Sequence, residues 1–174
     1  MDSSALNIRP AEVGDAPALR AIYNEVITDG TYFTAEVPKT LDEIIGLWLT
    51  PPVQAYVACD GDSGELLGAY VLRPNMIGRG SHIANATYMV AHRHKGRRLG
   101  LLLGTHSLDQ ARRAGYRAMQ FNAVVSTNTV AVNLWLRLGF VHIGTVPQAF
   151  RLPSGEYVDT CIMYRSLLDE GQQS

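Results

Sequence analysis

Acidic residues vanish from the middle of this chain. From residue 66 to residue 108 there is no Asp or Glu, while the same span carries Arg73, Arg79, Arg93, Lys95, Arg97 and Arg98, with His82, His92, His94 and His106. The net charge of the whole chain is -1, which argues against the bulk cationic surface of a nucleic-acid binder. The acid-free stretch therefore marks a local anion site. Cysteine is scarce too. Cys59 and Cys161 are the only two, and both lie in apolar, strand-like runs that suit reduced core thiols better than a disulfide. No apolar run approaches the ~18 residues that span a bilayer. The opening MDSSALNIRP has neither the basic nor the apolar region of a secretory leader. A cytoplasmic location without membrane or nucleic-acid partners is the expectation. Neither G-x-x-x-x-G-K-S/T nor G-x-G-x-x-G occurs, which removes the common nucleotide loops. His92 and His94 have no third ligand at metal spacing, so no metal is expected.

What is present is enough apolar sequence for one folded domain. Hydrophobic residues make up 47% of 174 and charged residues 18%, a globular balance. One domain over 1–174, with a core of about 6–167, is expected. A strand is expected over 6–9. Asp15 then opens a helix whose apolar face is Leu19, Ile22, Tyr23 and Val26. Thr40 and Glu43 form a capping box for a second helix, facing inward with Leu41, Ile44, Ile45 and Trp48 and ended by Pro51. Strands are expected over 55–59, 66–73 and 82–90. A long helix over 98–114 stops at Gly115. A strand over 118–125 precedes a helix starting near Thr127 or Asn128, facing inward with Ala131, Leu134, Trp135 and Leu138 and stopped by Gly139. Strands over 141–146 and 157–164 finish the chain. This order predicts an α+β fold on a mixed, mainly antiparallel sheet.

The stretch HRHKGRRLGLLLG, residues 92–104, joins a strand to the long helix. A helix N-terminus offers unpaired N–H groups and about half a positive charge. Gly96 and Gly100 let that backbone approach an anion, and Lys95, Arg97 and Arg98 add charge. The expected ligand is a pyrophosphate.

The wider context, YMVAHRHKGRRLGLLLGTHSLDQA followed by NTVAVNLWLRLGF, resembles the GNAT superfamily of acyl-CoA-dependent N-acetyltransferases. Val90, Lys95, Gly96, Leu99 and Gly100 match its V-x-P-x-x-R/Q-G-x-G-x-G/A pattern, and Asn128, Ala131, Gly139 and Phe140 its later N-x-x-A…G-F pattern. The resemblance implies a seven-stranded sheet with about four helices. It implies acetyl-CoA as cofactor, with its pyrophosphate on the amides of the turn and its arm against a splayed strand. Residues Met89, Val90, Ala91, Lys95, Gly96, Arg97, Arg98, Leu99, Gly100 and Asn128 would form the coenzyme site, and family habit suggests a homodimer. Arg98 departs from the pattern's glycine, and Trp135 stands where many members carry a proton-donating tyrosine. Trp cannot supply that proton.

Amine acetylation needs a neutral amine, a polarised thioester and a held oxyanion. Many members carry a base glutamate on the strand before the turn; here there is none. Asn85, Asn122 and Asn128 are present instead, and a strand interior is an unusual place for Asn. HIANATYMV and QFNAVVSTN resemble the family branch that acetylates L-proline analogues such as azetidine-2-carboxylate. That implies catalytic and substrate-orienting roles for Asn85 and Asn122. IYNEVITDGTYFT resembles the acceptor loop of phosphinothricin-type acetyltransferases, which makes Asp29, Thr31 and Tyr32 candidate substrate contacts. EYVD is a looser match to the same group. Tyr88 reads as strand packing rather than as a polar helper, and the proton is expected to leave to water. The expected partner is a small-molecule amine or amino acid. A coenzyme-binding sensor without turnover, and an enzyme acting on proteins or peptides, both stay open at this stage.

Overall fold

A computed structural model describes residues 6–168; residues 1–5, used above in reading the N-terminus, lie outside it. Seven strands form one sheet in the order β1-β2-β3-β4-β5-β7-β6. They are β1 (Leu6–Pro10), β2 (Gln54–Asp60), β3 (Leu66–Pro74), β4 (Ile83–Val90), β5 (Ala118–Val125), β6 (Val141–Arg151) and β7 (Tyr157–Ser166). Every neighbouring pair is antiparallel except β4 and β5. The mixed α+β architecture expected from the sequence is the one observed.

Helices cover both faces. On one side lie α1 (Ala16–Asp29) and α2 (Leu41–Ile44), the latter continued by a π-turn over Ile45–Leu49. Leu19, Ile22, Val26, Ile44 and Trp48 pack there against Val57, Ala69, Val71 and Met89. On the other side lie α3 (Leu99–Arg113) and α4 (Thr129–Arg137), where Leu103, Leu108 and Trp135 meet Tyr70, Leu72, Met119 and Phe121. Each buried stripe follows the 3.6-residue period of its helix.

Local chemistry sets the boundaries. Thr40 Oγ1 accepts from the Glu43 amide, and the Glu43 carboxylate accepts from the Thr40 amide at 2.8 Å, so the capping box is real. Gly115 and Gly139 end α3 and α4 at φ of +82° and +79°. Asp15 stands at the N-cap of α1, but its carboxylate is engaged by Arg9 and the Glu12 amide rather than by the helix. β6 runs five residues beyond the 141–146 expected. Two register shifts accommodate it, and Asp159 of the EYVD stretch holds the second by accepting from the Gln148 amide at 2.9 Å. Cys59 and Cys161 are both free thiols.

Candidate active site

The sheet opens where β4 meets β5. These parallel strands pair only at Ile83 with Ala118 and Ala84 with Met119, and then diverge. Hydrogen-bond phase decides which β4 groups face the gap. The Ala91 amide donates to Leu67 O and the Asn75 amide to Ile83 O. Odd-numbered residues of β4 therefore bond to β3, and the backbone groups of Ala86, Tyr88 and Val90 point into the opening. The expectation placed the thioester on backbone amides near Met89–Ala91; of these the Val90 amide faces the gap, while the Met89 and Ala91 amides are turned to β3 and their side chains are buried.

The basic turn leaves β4 through a short 3-10 segment, His92–His94, and enters α3. Gly96 adopts φ +83° and Arg98, the N-cap of α3, adopts φ +59°. Leu102 N donates to Arg98 O, closing the first turn. The amides of Leu99, Gly100 and Leu101 precede that closure and have no acceptor among the described residues. Unpaired amides at a helix N-terminus of this kind can bind an anion. Gly100 has a second role: a Cβ there would lie 3.1 Å from Leu134 Cδ2, so its smallness serves the contact with α4.

The turn's side chains differ from expectation. Arg93 pairs with Glu65, which also accepts from His94 Nε2 at 3.1 Å. Arg97 Nη1 lies 3.3 Å from His94 Nδ1. Lys95, expected at the pyrophosphate, instead donates to the Tyr32 hydroxyl at 2.6 Å and to Asp29 Oδ2 at 3.4 Å. Asp29 also accepts from Thr31 Oγ1 at 2.5 Å and from the Tyr32 hydroxyl at 3.0 Å. These two hydrogen bonds, with Lys95 behind them, hold the Asp29 carboxyl below the ordinary carboxylate range against the opposing effect of burial. Burial pulls the Lys95 ammonium down, but Tyr32 and Asp29 outweigh it and the net direction is upward. His92 lies beside the same cluster, Nε2 3.3 Å from Asp29 Oδ2 and Nδ1 3.4 Å from Glu25 Oε1. Asp29, Thr31 and Tyr32 thus assemble as one unit, fastened to the coenzyme turn.

Asn85 on β4 and Asn122 on β5 do come together, through a residue the sequence reading missed. Asn75, in the turn after β3, accepts from Asn85 Nδ2 at 2.9 Å and from Asn122 Nδ2 at 2.7 Å. Asn122 sits in a β-bulge between Phe121 and Val124, which turns it out of the ladder. Asn128, expected on the coenzyme side, caps α4: its Oδ1 accepts from the Ala131 amide at 3.1 Å.

These residues border a cleft of about 480 Å³ whose lining includes Tyr32, Phe33, Trp48, Asn85, Asn122 and Trp135. Among the described residues, Arg73, register partner of Asn85, is the only charged side chain on its wall. Its guanidinium has no ion pair or hydrogen bond among the described residues; it belongs to the acid-free stretch, but no motif set it apart there. Tyr88 lines the cleft from β4. Its hydroxyl is 2.7 Å from Ser107 Oγ, and burial pushes the phenol far above its usual value despite that bond. Trp135 packs on Tyr88 and Phe121 with ring centroids at 4.8 and 4.6 Å. It forms floor, not acid.

Residues 19–140 match the Acetyltransferase (GNAT) family. Over 167 residues the chain is 32% identical to the L-methionine sulfoximine/L-methionine sulfone acetyltransferase of Pseudomonas aeruginosa, covering 92% of this chain and 94% of that protein. It is 40% identical over 99 residues to the N-acetyltransferase aca1 of Schizosaccharomyces pombe, a match covering 56% of this chain and 47% of that longer relative. A GCN5-related N-acetyltransferase from Kribbella flavida superposes with a TM-score of 0.89 at 42% identity, covering 95% of this chain and 99% of that one. A phosphinothricin acetyltransferase from Sinorhizobium meliloti, solved in complex with AcCoA, shares the fold at a TM-score of 0.86 and 20% identity, covering 97% of this chain and 91% of that one. With the open strand pair and the free amides at the start of α3, these matches identify the chain as a member of the GNAT family, an N-acetyltransferase that uses acetyl-CoA as co-substrate.

Proposed function

We propose that the enzyme acetylates the amine of a small amino acid or amino-acid analogue. One observation carries this reading: the cleft wall holds a single charged side chain, the unpaired Arg73, and no carboxylate. An exposed guanidinium at the edge of a mainly apolar cleft, without a protein partner among the described residues, suits a carboxylate on the acceptor. A polyamine would find there only like charge. The relative named for methionine sulfoximine and methionine sulfone supports the same class. Azetidine-2-carboxylate, a proline analogue, belongs to it too.

Bound acetyl-CoA supplies the electrophilic thioester, and the remaining tasks fall to this chain. The amides of Leu99, Gly100 and Leu101 suit the pyrophosphate. The Val90 amide, facing the gap, suits the thioester oxygen. Arg73 would fix the acceptor's carboxylate, and Asn85 and Asn122 would orient its neutral amine. No carboxylate on the wall takes the proton, so it leaves to water. The free thiols support a cytoplasmic location, and we read 1–174 as one domain. β6 is an edge strand with Val141, Ile143 and Val146 exposed, which supports pairing with a second copy.

The test is acetyl-CoA-dependent thiol release over an amine panel: methionine sulfoximine, methionine sulfone, phosphinothricin, azetidine-2-carboxylate, common amino acids and polyamines. Turnover is expected on carboxylate-bearing amines. Arg73→Gln should raise their KM by roughly 10- to 100-fold, the worth of one charged hydrogen-bond pair. Asn122→Ala should lower turnover while leaving acetyl-CoA affinity near wild type. Equal turnover on polyamines, unaffected by Arg73→Gln, would overturn the reading.

A further inference from the structure

We infer that Asn75 is a positioning residue that sets the hydrogen-bonding polarity of the acceptor site. The inference rests on the acceptor cleft proposed above, and its geometry stands on the protein's own contacts.

One oxygen does the positioning. Asn75 Oδ1 accepts from Asn85 Nδ2 at 2.9 Å and from Asn122 Nδ2 at 2.7 Å, filling both lone pairs of an amide carbonyl. The two donors come from strands that have already parted, since the last β4–β5 pair is Ala84 with Met119. Asn75 therefore bridges the opening at its closed end. Its own backbone is anchored, with the amide donating to Ile83 O at 2.8 Å.

The consequence is directional. An amide held by its nitrogen must point its oxygen elsewhere. Asn122 Oδ1 accepts from Gln120 Nε2 at 2.9 Å. Asn85 Oδ1 has no protein partner among the described residues, and Asn85 lines the cleft. The site thus presents a bare acceptor oxygen to an incoming amine, which would hold an N–H and leave the lone pair free to attack. If Asn85 were flipped, it would present a donor, and a donor competes for that same lone pair. With its carbonyl turned toward the two nitrogens, Asn75 selects the orientation seen here. It touches neither substrate in this scheme and acts through Asn85.

The bridge needs only an oxygen that accepts twice, so the conservative exchange is informative. Asn75→Asp keeps two-fold acceptance; Asn75→Ala removes it. With L-methionine sulfone as acceptor, Asn75→Ala should lower kcat by roughly tenfold or more while the Kd for acetyl-CoA stays within about twofold of wild type. Asn75→Asp should restore kcat to within about threefold. Equal losses in the two variants would overturn the inference. Because Asp also keeps the shape of Asn, Asn75→Leu, which keeps the volume without the acceptor, separates the roles, and wild-type kcat in Asn75→Leu would overturn the inference as well. A second readout needs no turnover. In a 15N side-chain amide spectrum, the Asn85 and Asn122 resonances, assigned through Asn85→Asp and Asn122→Asp, should shift together in Asn75→Ala, losing their hydrogen-bonded character, and should shift together in the opposite sense in Asn75→Asp, where the acceptor is charged. Movement of neither, or of only one, would also overturn it. Wild-type silence on every amino acid of the panel, with the paired amide shifts intact, would instead sink the proposed substrate class and leave the Asn75 bridge standing.

Discussion

Lys95 Nζ sits 2.6 Å from the Tyr32 hydroxyl, which joins the basic turn before α3 to the loop after α1. Asp29 completes the clasp from the end of α1. If Lys95 serves this clasp rather than the pyrophosphate, its loss should fall on the acceptor side. Lys95→Met is expected to raise the acceptor KM about fivefold, the ~1 kcal/mol upper end for a half-exposed pair, with little change in acetyl-CoA affinity by calorimetry. A large loss of acetyl-CoA affinity with an unchanged KM would return Lys95 to the phosphate.

The same clasp has a pH signature. Asp29 is shifted downward, so its contribution is complete above the ordinary carboxylate pKa of about 4 and fades only as pH falls through its lower folded value. Between about pH 5 and 8 the clasp should therefore stay charged and contribute no slope to the acceptor KM. Asp29→Asn should raise that KM throughout the window. Protonation of the acceptor amine imposes its own slope on both proteins, so the readout is the ratio of the two KM values; a ratio that falls toward one as pH is lowered across the window would mean that Asp29 takes up a proton there.

Arg98 departs from the glycine of the family pattern, and the backbone shows the cost. At φ +59° it occupies the left-handed region, which disfavours a Cβ by about 1 kcal/mol. Arg98→Gly should raise Tm by a few degrees at most, part of the gain being offset by glycine's freer unfolded chain. The variant also removes a cation that has no protein partner among the described residues, so the Kd for acetyl-CoA should rise, most visibly at low salt. A lower Tm in scanning calorimetry would contradict the strain argument.

Much of the frame was legible because it is local. Thr40 with Glu43, Gly115 and Gly139 mark helix ends through contacts within a few residues, and they stand where the sequence put them. The coenzyme turn was legible for the same reason. What escaped is relational. Arg73 and Asn75 look ordinary in sequence, and only strand pairing sets one opposite Asn85 and the other between two asparagines. The pairing of Lys95 with Asp29 spans 66 residues, and a cation in a basic turn carries no mark of its partner. The roles of Met89 and Ala91 depended on hydrogen-bond phase, which residue identity does not encode. Asn128 stands at the helix start read from the sequence, and its side chain caps α4 there.

Gly68 offers a test of the opened strand from its paired side. It lies opposite Val90, and a Cβ there would stand 2.8 Å from the Met89 carbonyl oxygen and 3.3 Å from Leu103 Cδ1. The first obstacle is backbone, so it cannot rotate away. Gly68→Ala should cost about 1–3 kcal/mol by overpacking and should displace β4 where the Val90 amide faces the gap. Urea unfolding gives the stability change. Wild-type stability together with unchanged acetyl-CoA affinity would show that the strand pair has slack the geometry does not reveal.

The Arg9–Asp15 pair ties β1 to the start of α1 and sets the sign of an acid effect far from the cleft. Arg9 Nη1 and Nη2 reach the two Asp15 oxygens at 2.7 and 2.8 Å, and the Glu12 amide adds a third bond at 2.8 Å. The Arg9 bond, helped by the Glu12 amide and opposed by burial, holds the Asp15 carboxyl below its usual range. A depressed carboxylate stabilises the fold above its unfolded pKa of about 4 and loses that contribution as pH falls through the folded value. Asp15→Asn should therefore cost about 1 kcal/mol at pH 7, and the gap to wild type should narrow as the pH approaches about 3. Chemical denaturation at both pH values reads this directly. A gap that widened in acid would mean that Asp15 binds its proton more tightly folded than unfolded, which the twin contacts from Arg9 forbid.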